Sequence, residues 1–253
     1  MEEICSVSGK RRVKRMRTSL IFLLIFIFSI GISTAQSKHL KVILEQLQIN
    51  ESDCMMELVK ESSIPFDKEK SLIFIPKTTY KDESSFNCDV YLILFETKTG
   101  KILQQFYKSN ALWSDAIHCD EVLFDFAPYK LDVKTRAFGL RLKFSNESIP
   151  NPYRIEYLSL FVLQKDSLIQ VLKGFPVFEF SGEYDTQCTG KFIEEKKILI
   201  IDNLKTNSYS DIIVKRTITN TTTFDVNGDC KEKNSVNLST SRLKFLNGTY
   251  PFK

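Results

Sequence analysis

Apolar residues near the start of the chain recur at helical spacing. Leu40, Ile43, Leu44 and Leu47 fall on one face, which predicts a helix from Ser37 to Ile49 with Ser37 as its N-cap. A second short helix is predicted from Ser52 to Lys60, and Pro65 breaks the pattern beyond it. From there the period changes to two. Ser71 to Ile75 is a short β-run ended by Pro76. Asp89 to Phe95 and Lys101 to Tyr107 flank Glu96–Gly100, where a glycine able to take φ > 0 predicts a hairpin. Glu121 to Phe126 puts Val122, Phe124 and Phe126 on one face. Ala137 to Phe144 alternates most regularly, with Phe138, Leu140, Leu142 and Phe144 on one side and Gly139, Arg141 and Lys143 on the other. Tyr157 to Leu163 and Leu168 to Leu172 flank a polar turn and predict a second hairpin. After a short run from Val177 to Phe180, Lys197–Asp202 and Asp211–Thr219 make a third pair.

Nine or ten β-runs with almost no helix after Lys60 exclude a parallel α/β fold, which needs crossover helices. The pattern predicts a mainly β protein, an antiparallel sandwich or an open barrel-like meander with one or two short N-terminal helices. No fixed repeat argues for a propeller or solenoid. The expected division is a leader over residues 1–35, one β-rich domain over 36–231, and a polar C-terminal tail over 232–253 that frays.

The leader is read from its three-part plan. Six basic residues between Lys10 and Arg17 precede an uncharged apolar run of 13 residues, Leu20 to Ile32. Ser33-Thr34-Ala35 then offers the small residues that a signal peptidase reads, with the cut after Ala35. The run is shorter than the roughly 20 residues a spanning helix needs. An uncleaved leader would be the only membrane attachment. Met16 is an alternative start, since Met16-Arg17-Thr18 alone opens a normal signal. Removing the leader changes the charge. It carries six of the 35 basic and two of the 31 acidic residues, so the formal +4 vanishes and 29 of each remain. Bulk electrostatics then gives no reason to expect a nucleic acid partner. Export, to a periplasm or to the medium, is the expected destination.

Export also sets the cysteine chemistry. Five cysteines come after the leader, Cys54, Cys88, Cys119, Cys188 and Cys230, in a compartment where disulfides persist. Five leave one odd thiol and fifteen two-bridge schemes. Closeness along the chain favours Cys88–Cys119 and Cys188–Cys230. No Cys-x-x-Cys occurs and only two His are present, so neither a metal site nor a cofactor is expected.

No Gly-x-Ser-x-Gly elbow, P-loop, His-Glu-x-x-His or dinucleotide fingerprint is present. The densest polar stretch runs from Trp113 to Glu121, where Asp115, His118 and Asp120 are candidates for acid–base work. The competing reading is a loop tied down beside Cys119. His39, three residues past the cut, is expected to be poorly ordered. Glu183 and Asp185 form a carboxylate pair of the kind glycosidases use, on a turn that also holds Cys188. Asp225-Val226-Asn227-Gly228-Asp229 starts like a calcium loop, but Cys230 and Val236 stand where that loop needs Gly and Glu. Its Asn-Gly reads better as a tight turn before a disulfide. Ala127-Pro128-Tyr129 and Asn151-Pro152-Tyr153 are aromatic turns, stacking sites if exposed and end caps if packed inward.

Several stretches together resemble a family. They are Ser109–Ala116, Ala127-Pro128-Tyr129, Thr135–Gly139, Asn151-Pro152-Tyr153, Gly182–Asp185 with Cys188, and Asn207 with Tyr209–Val214. Over roughly Ile64 to Lys231 the chain resembles an uncharacterised family of exported proteins from Gram-negative bacteria. The resemblance implies an exported domain and carries over no catalytic residue. The missing catalytic signatures, the neutral charge, the many β-runs and the aromatic turns point to a non-enzymatic exported binding or envelope-associated protein with a protein or glycan ligand. The alternative is a hydrolase of envelope or extracellular polymer acting through carboxylates near His118 or Glu183.

Overall fold

The computed structural model describes residues 38–164 and 167–252. The leader, its cleavage point and the Ser37 cap lie outside the described residues. Helix α1 (Lys38–Leu47) leads into two single 3-10 turns, Glu51–Asp53 and Met56–Leu58, in place of the expected second helix. Among the described residues eleven strands then run in antiparallel succession: β1 (Lys60–Ile64), β2 (Asp67–Lys81), β3 (Phe86–Glu96), β4 (Ile102–Ser114), β5 (His118–Lys130), β6 (Arg136–Ser145), β7 (Tyr153–Gln164), β8 (Ser167–Tyr184), β9 (Gly190–Thr206), β10 (Tyr209–Val226) and β11 (Asp229–Leu243). Strands β1–β4 form one sheet and β5–β11 a second, each in chain order. The fold is therefore mainly β, two antiparallel meanders, and among the described residues neither sheet closes into a barrel.

The first sheet is covered on both faces, and its sequence shows why. Ser71 to Pro76 is buried without interruption, the signature of a strand wet on neither side. Ile73, Ile75, Ile93 and Phe95 meet Leu40, Ile43 and Leu44 of α1 on the outer face. Their alternates Leu72, Phe74, Leu92 and Leu94 face the second sheet, against Val122, Phe138, Leu140 and Phe161. Burying one such side chain contributes about 1.5–3 kcal/mol. Gly100 (φ 74°) turns the β3–β4 hairpin, in agreement with the sequence pattern.

Pro76 does not end β2, which continues to Lys81. β1 reaches only to Phe74, while β3 pairs with β2 on past Pro76. On the side β1 has left, a proline costs no ladder hydrogen bond, and the Pro76 carbonyl accepts the Met55 N–H at 3.0 Å.

The second sheet splits along its length. β8 pairs with β9 only from Phe178 to Tyr184. Beyond that, β9 leaves β8 while staying paired with β10, and a second core forms among Leu158, Leu160, Val171, Phe175, Ile212 and Val214. The chain end belongs to this core. Residues 232–253, expected as a fraying tail, begin inside β11, which pairs with β10 from Leu243↔Ile212 to Asp229↔Val226. Phe245 and Tyr250 are buried, and Tyr250 donates to the Ser210 carbonyl at 2.6 Å. The difference from expectation has a physical cause. β11 lies at the sheet edge and is exposed along nearly its whole length, so its composition is polar and no alternation marks it.

Cys188 and Cys230 form a disulfide with Cα atoms 5.6 Å apart. It joins the β8–β9 turn to the start of β11. The second expected bridge is absent, since Cys88 and Cys119 are free and buried, as is Cys54. Cys88 and Cys119 belong to the core between the two sheets. Packed sheets lie about 10 Å apart, beyond the roughly 7 Å Cα limit of a bridge. Burial pushes the Cys119 thiol up to about 12 and the Cys88 thiol to about 11, so neither supplies the thiolate that exchange requires. Among the described residues no helix is long and apolar enough to cross a membrane.

Candidate functional site

The candidates picked from the sequence do not come together. Asp115, His118 and Asp120 are all exposed. Asp115 accepts the Ile117 N–H at 3.0 Å and so shapes the β4–β5 turn. Ser114 closes the same turn, its hydroxyl accepting the Cys119 N–H and donating to the Ile117 carbonyl. His118 starts β5 in register with Ser145. His39, expected to be poorly ordered, sits on α1 with Nδ1 2.8 Å from Glu61 and its ring against Phe95.

Glu183 and Asp185 line a shallow hollow with Pro150, Asn151, Tyr184 and Lys191. Asp185 is committed to the turn. Its Oδ1 accepts the N–H groups of Gln187, Cys188 and Thr189, which hold its carboxyl below the usual range. A general acid needs the opposite shift. Asp225 likewise caps a tight turn, accepting the Gly228 N–H, with Asn227 and Gly228 both at positive φ. That is the Asn-Gly hairpin. Among the described residues no group of His, Cys, Asp and Glu is placed to hold a metal ion.

A different site opens between the sheets. A cavity of about 380 Å³ lies under β3 and β4, over β6, β7 and the bend of β8. Its walls come from alternation. Leu140, Leu142 and Phe144 come from the inward face of β6, and Tyr153, Ile155, Tyr157, Ser159 and Phe161 from that of β7. Phe106 meets Phe161 edge-on at 5.1 Å, and Phe144 meets Tyr157 at 5.9 Å. β4 contributes from both sides of an irregularity. Asn110 takes φ 45° where the β3–β4 register shifts, and it is held by Asp89, which accepts its N–H at 3.0 Å. Phe106 and Lys108 line the cavity before that point, Ala111 and half-exposed Trp113 after it.

The polar groups are few. Ser159, alone in an otherwise apolar and aromatic row, accepts the Gln170 amide at 3.1 Å and the Gly174 N–H at 2.9 Å. It thereby fixes the bend of β8, where Gly174 has φ 56° and open space around it. Lys108 and Lys173 stand together at the opening. Partial burial first, then the neighbouring Lys173 ammonium, pushes Lys108 down from its ordinary value. Tyr153 donates to Glu179 at 3.3 Å, and burial, with that carboxylate, pushes its hydroxyl up to about 12. Of the two aromatic turns, Tyr153 thus lines the cavity. Tyr129 packs inward and donates to Asp125 at 2.7 Å. Asp125 also takes the Arg141 guanidinium, whose other arm holds Glu156. Burial alone would raise Asp125. The Ala127 N–H, the Tyr129 hydroxyl and Arg141 outweigh it and keep the carboxyl below its ordinary value, a structural cross-link on the outer face.

The sequence signal for this site is the row Tyr153, Ile155, Tyr157, Ser159, Phe161. A single serine in such a row marks a polar task on a buried face. Lys108 and Lys173 carry no comparable mark, since lysines on strands are ordinarily solvated. Compared with known proteins, the chain matches no protein-family model, no curated protein and no solved structure.

Proposed function

We propose that this is an exported, non-enzymatic binding protein whose ligand occupies the cavity between the two sheets. The observation that carries the reading is the cavity itself, about 380 Å³ walled by aromatic and aliphatic side chains with a few convergent polar groups. Small-molecule sites have this size and make-up. For comparison, an apolar cavity of ~150 Å³ takes up benzene. Export is supported by the leader pattern and is compatible with the Cys188–Cys230 bridge. The hydrolase reading falls behind because Asp185 is spent on its turn and the residues around His118 face solvent.

The test uses Nile red, an uncharged apolar dye. It should bind saturably at one site per chain, and ligand should raise the unfolding temperature by mass action. Leu142→Trp fills the cavity and should weaken the dye at least tenfold. Absence of saturable binding, or equal binding by a folded Leu142→Trp variant, overturns the proposal.

A further inference from the structure

The cavity is apolar inside and cationic at its opening. Lys108 on β4 and Lys173 on β8 both line it. They come from different sheets, so the fold itself brings two like charges to one place. Among the described residues neither ammonium has a carboxylate within ion-pairing distance, although the chain is otherwise rich in such pairs. Two cations at close range repel. An anion placed between them offsets that repulsion with an attraction to each. The downward push on Lys108 from partial burial and the Lys173 ammonium agrees with this geometry.

Resting on the binding reading above, we propose that the ligand is a single-chain amphiphile with an anionic head group, its chain lying between Phe106, Phe144, Tyr157 and Phe161 and its head held by Lys108 and Lys173. The volume sets the chain. At about two and a half times a benzene-sized cavity, the space takes on the order of 12–15 carbon atoms, one acyl chain and not two. The opening sets the head. A cation would meet two ammonium groups, and an alcohol would leave their repulsion in place. A carboxylate or a phosphate monoester satisfies both lysines with charge-assisted hydrogen bonds. The same head chemistry belongs to free fatty acids and to phosphate-headed lysolipids.

Displacement of Nile red from the purified full chain measures this with four C12 probes kept below their micellar concentrations: laurate, dodecyl phosphate, dodecanol and dodecylammonium. Laurate or dodecyl phosphate should displace the dye at concentrations at least tenfold lower than dodecanol, with dodecylammonium weakest. The better of the two anions identifies the source, fatty acid or lysolipid. In Lys108→Gln/Lys173→Gln the acid-to-alcohol ratio should fall to within threefold, and Lys108→Arg/Lys173→Arg should restore it. An acid-to-alcohol ratio near one in the wild-type protein, a preference for dodecylammonium, or a ratio that survives the double Gln change overturns the head-group inference. The failures separate cleanly. If Nile red itself does not bind, the cavity reading falls. If the dye binds and Leu142→Trp weakens it while the anions show no advantage, only the assignment of the head falls.

Discussion

The inter-sheet half of the molecule and the ribbon of β9, β10 and β11 are both long antiparallel ladders, yet they are held by different forces. Between the sheets, Leu72, Phe74, Leu92, Phe138 and Phe161 exclude water from both layers. In the far part of the ribbon few side chains are buried, and from Asp229 to Arg242 β11 is exposed throughout. There the ladder is supported by ion pairs such as Glu195 with Lys197 and Arg216, and by the Cys188–Cys230 bridge. Even three or more antiparallel strands need a covered hydrophobic face to be stable in water, and the far ribbon has little of one. A covalent tie and charge pairing are what remain when hydrophobic burial is not on offer.

Side-chain truncation separates the two regions most strongly. Phe138→Ala, in the core between the sheets, should destabilise by about 3–5 kcal/mol. Leu238→Ala, on β11 and 77% exposed, should stay within about 0.5 kcal/mol. Urea denaturation of the two variants checks the pair. Similar losses at both positions would mean that the ribbon buries its apolar side chains against something else.

The bridge has the next largest effect. Cys188 and Cys230 are 42 residues apart, and losing a loop-closing bond of that span costs about 2–4 kcal/mol. Cys188→Ser/Cys230→Ser should lower stability by that amount and raise amide exchange first near Asp225–Lys231, while the cavity still binds Nile red. Exchange rising equally between the sheets would show that the two regions unfold as one unit.

How legible the fold is in the sequence depends on which side of the comparison a residue lies. β6 is plain because Phe138, Leu140, Leu142 and Phe144 share one covered face, and burial is what writes a period of two into a sequence. β11 reads as a tail because neither of its faces is covered. Pro76 reads as a stop because a sequence does not say which neighbour a strand has lost. Of the cysteines, closeness in sequence selects Cys188 and Cys230, which a hairpin stack brings together. It misleads for Cys88 and Cys119, which lie on different sheets. The site is hidden for the same reason. Lys108 and Lys173 are 65 positions apart in sequence, and only the packing of one sheet on the other makes them neighbours.

The smallest effect concerns charge within the ribbon. Arg216 lies directly opposite Lys197 across the β9–β10 ladder, a like-charge pairing that disfavours the sheet. Glu195, two residues from Lys197 on the same face, bonds both cations, Arg216 at 2.6 Å and Lys197 at 2.6 Å. The Arg216 hydrogen bond first, with help from Lys197 and against partial burial, lowers Glu195 from 4.5 to about 2. A carboxyl lowered on folding contributes stability that is complete above its ordinary value and is lost as pH falls toward the folded one. Arg216 is largely exposed, so solvent screening holds the contribution to about 1 kcal/mol. Glu195→Gln should therefore be less stable than wild type by about that much at pH 7, and the two should converge between pH 4.5 and 2. Other lowered carboxyls, Asp125 among them, make both proteins acid-sensitive, so the difference between the two unfolding curves is the quantity to follow. At 0.5 M salt it should shrink, because the pair is near the surface. A difference that stays constant down to pH 2, or that ignores salt, would remove charge pairing from the account of the ribbon and leave the disulfide as its main support.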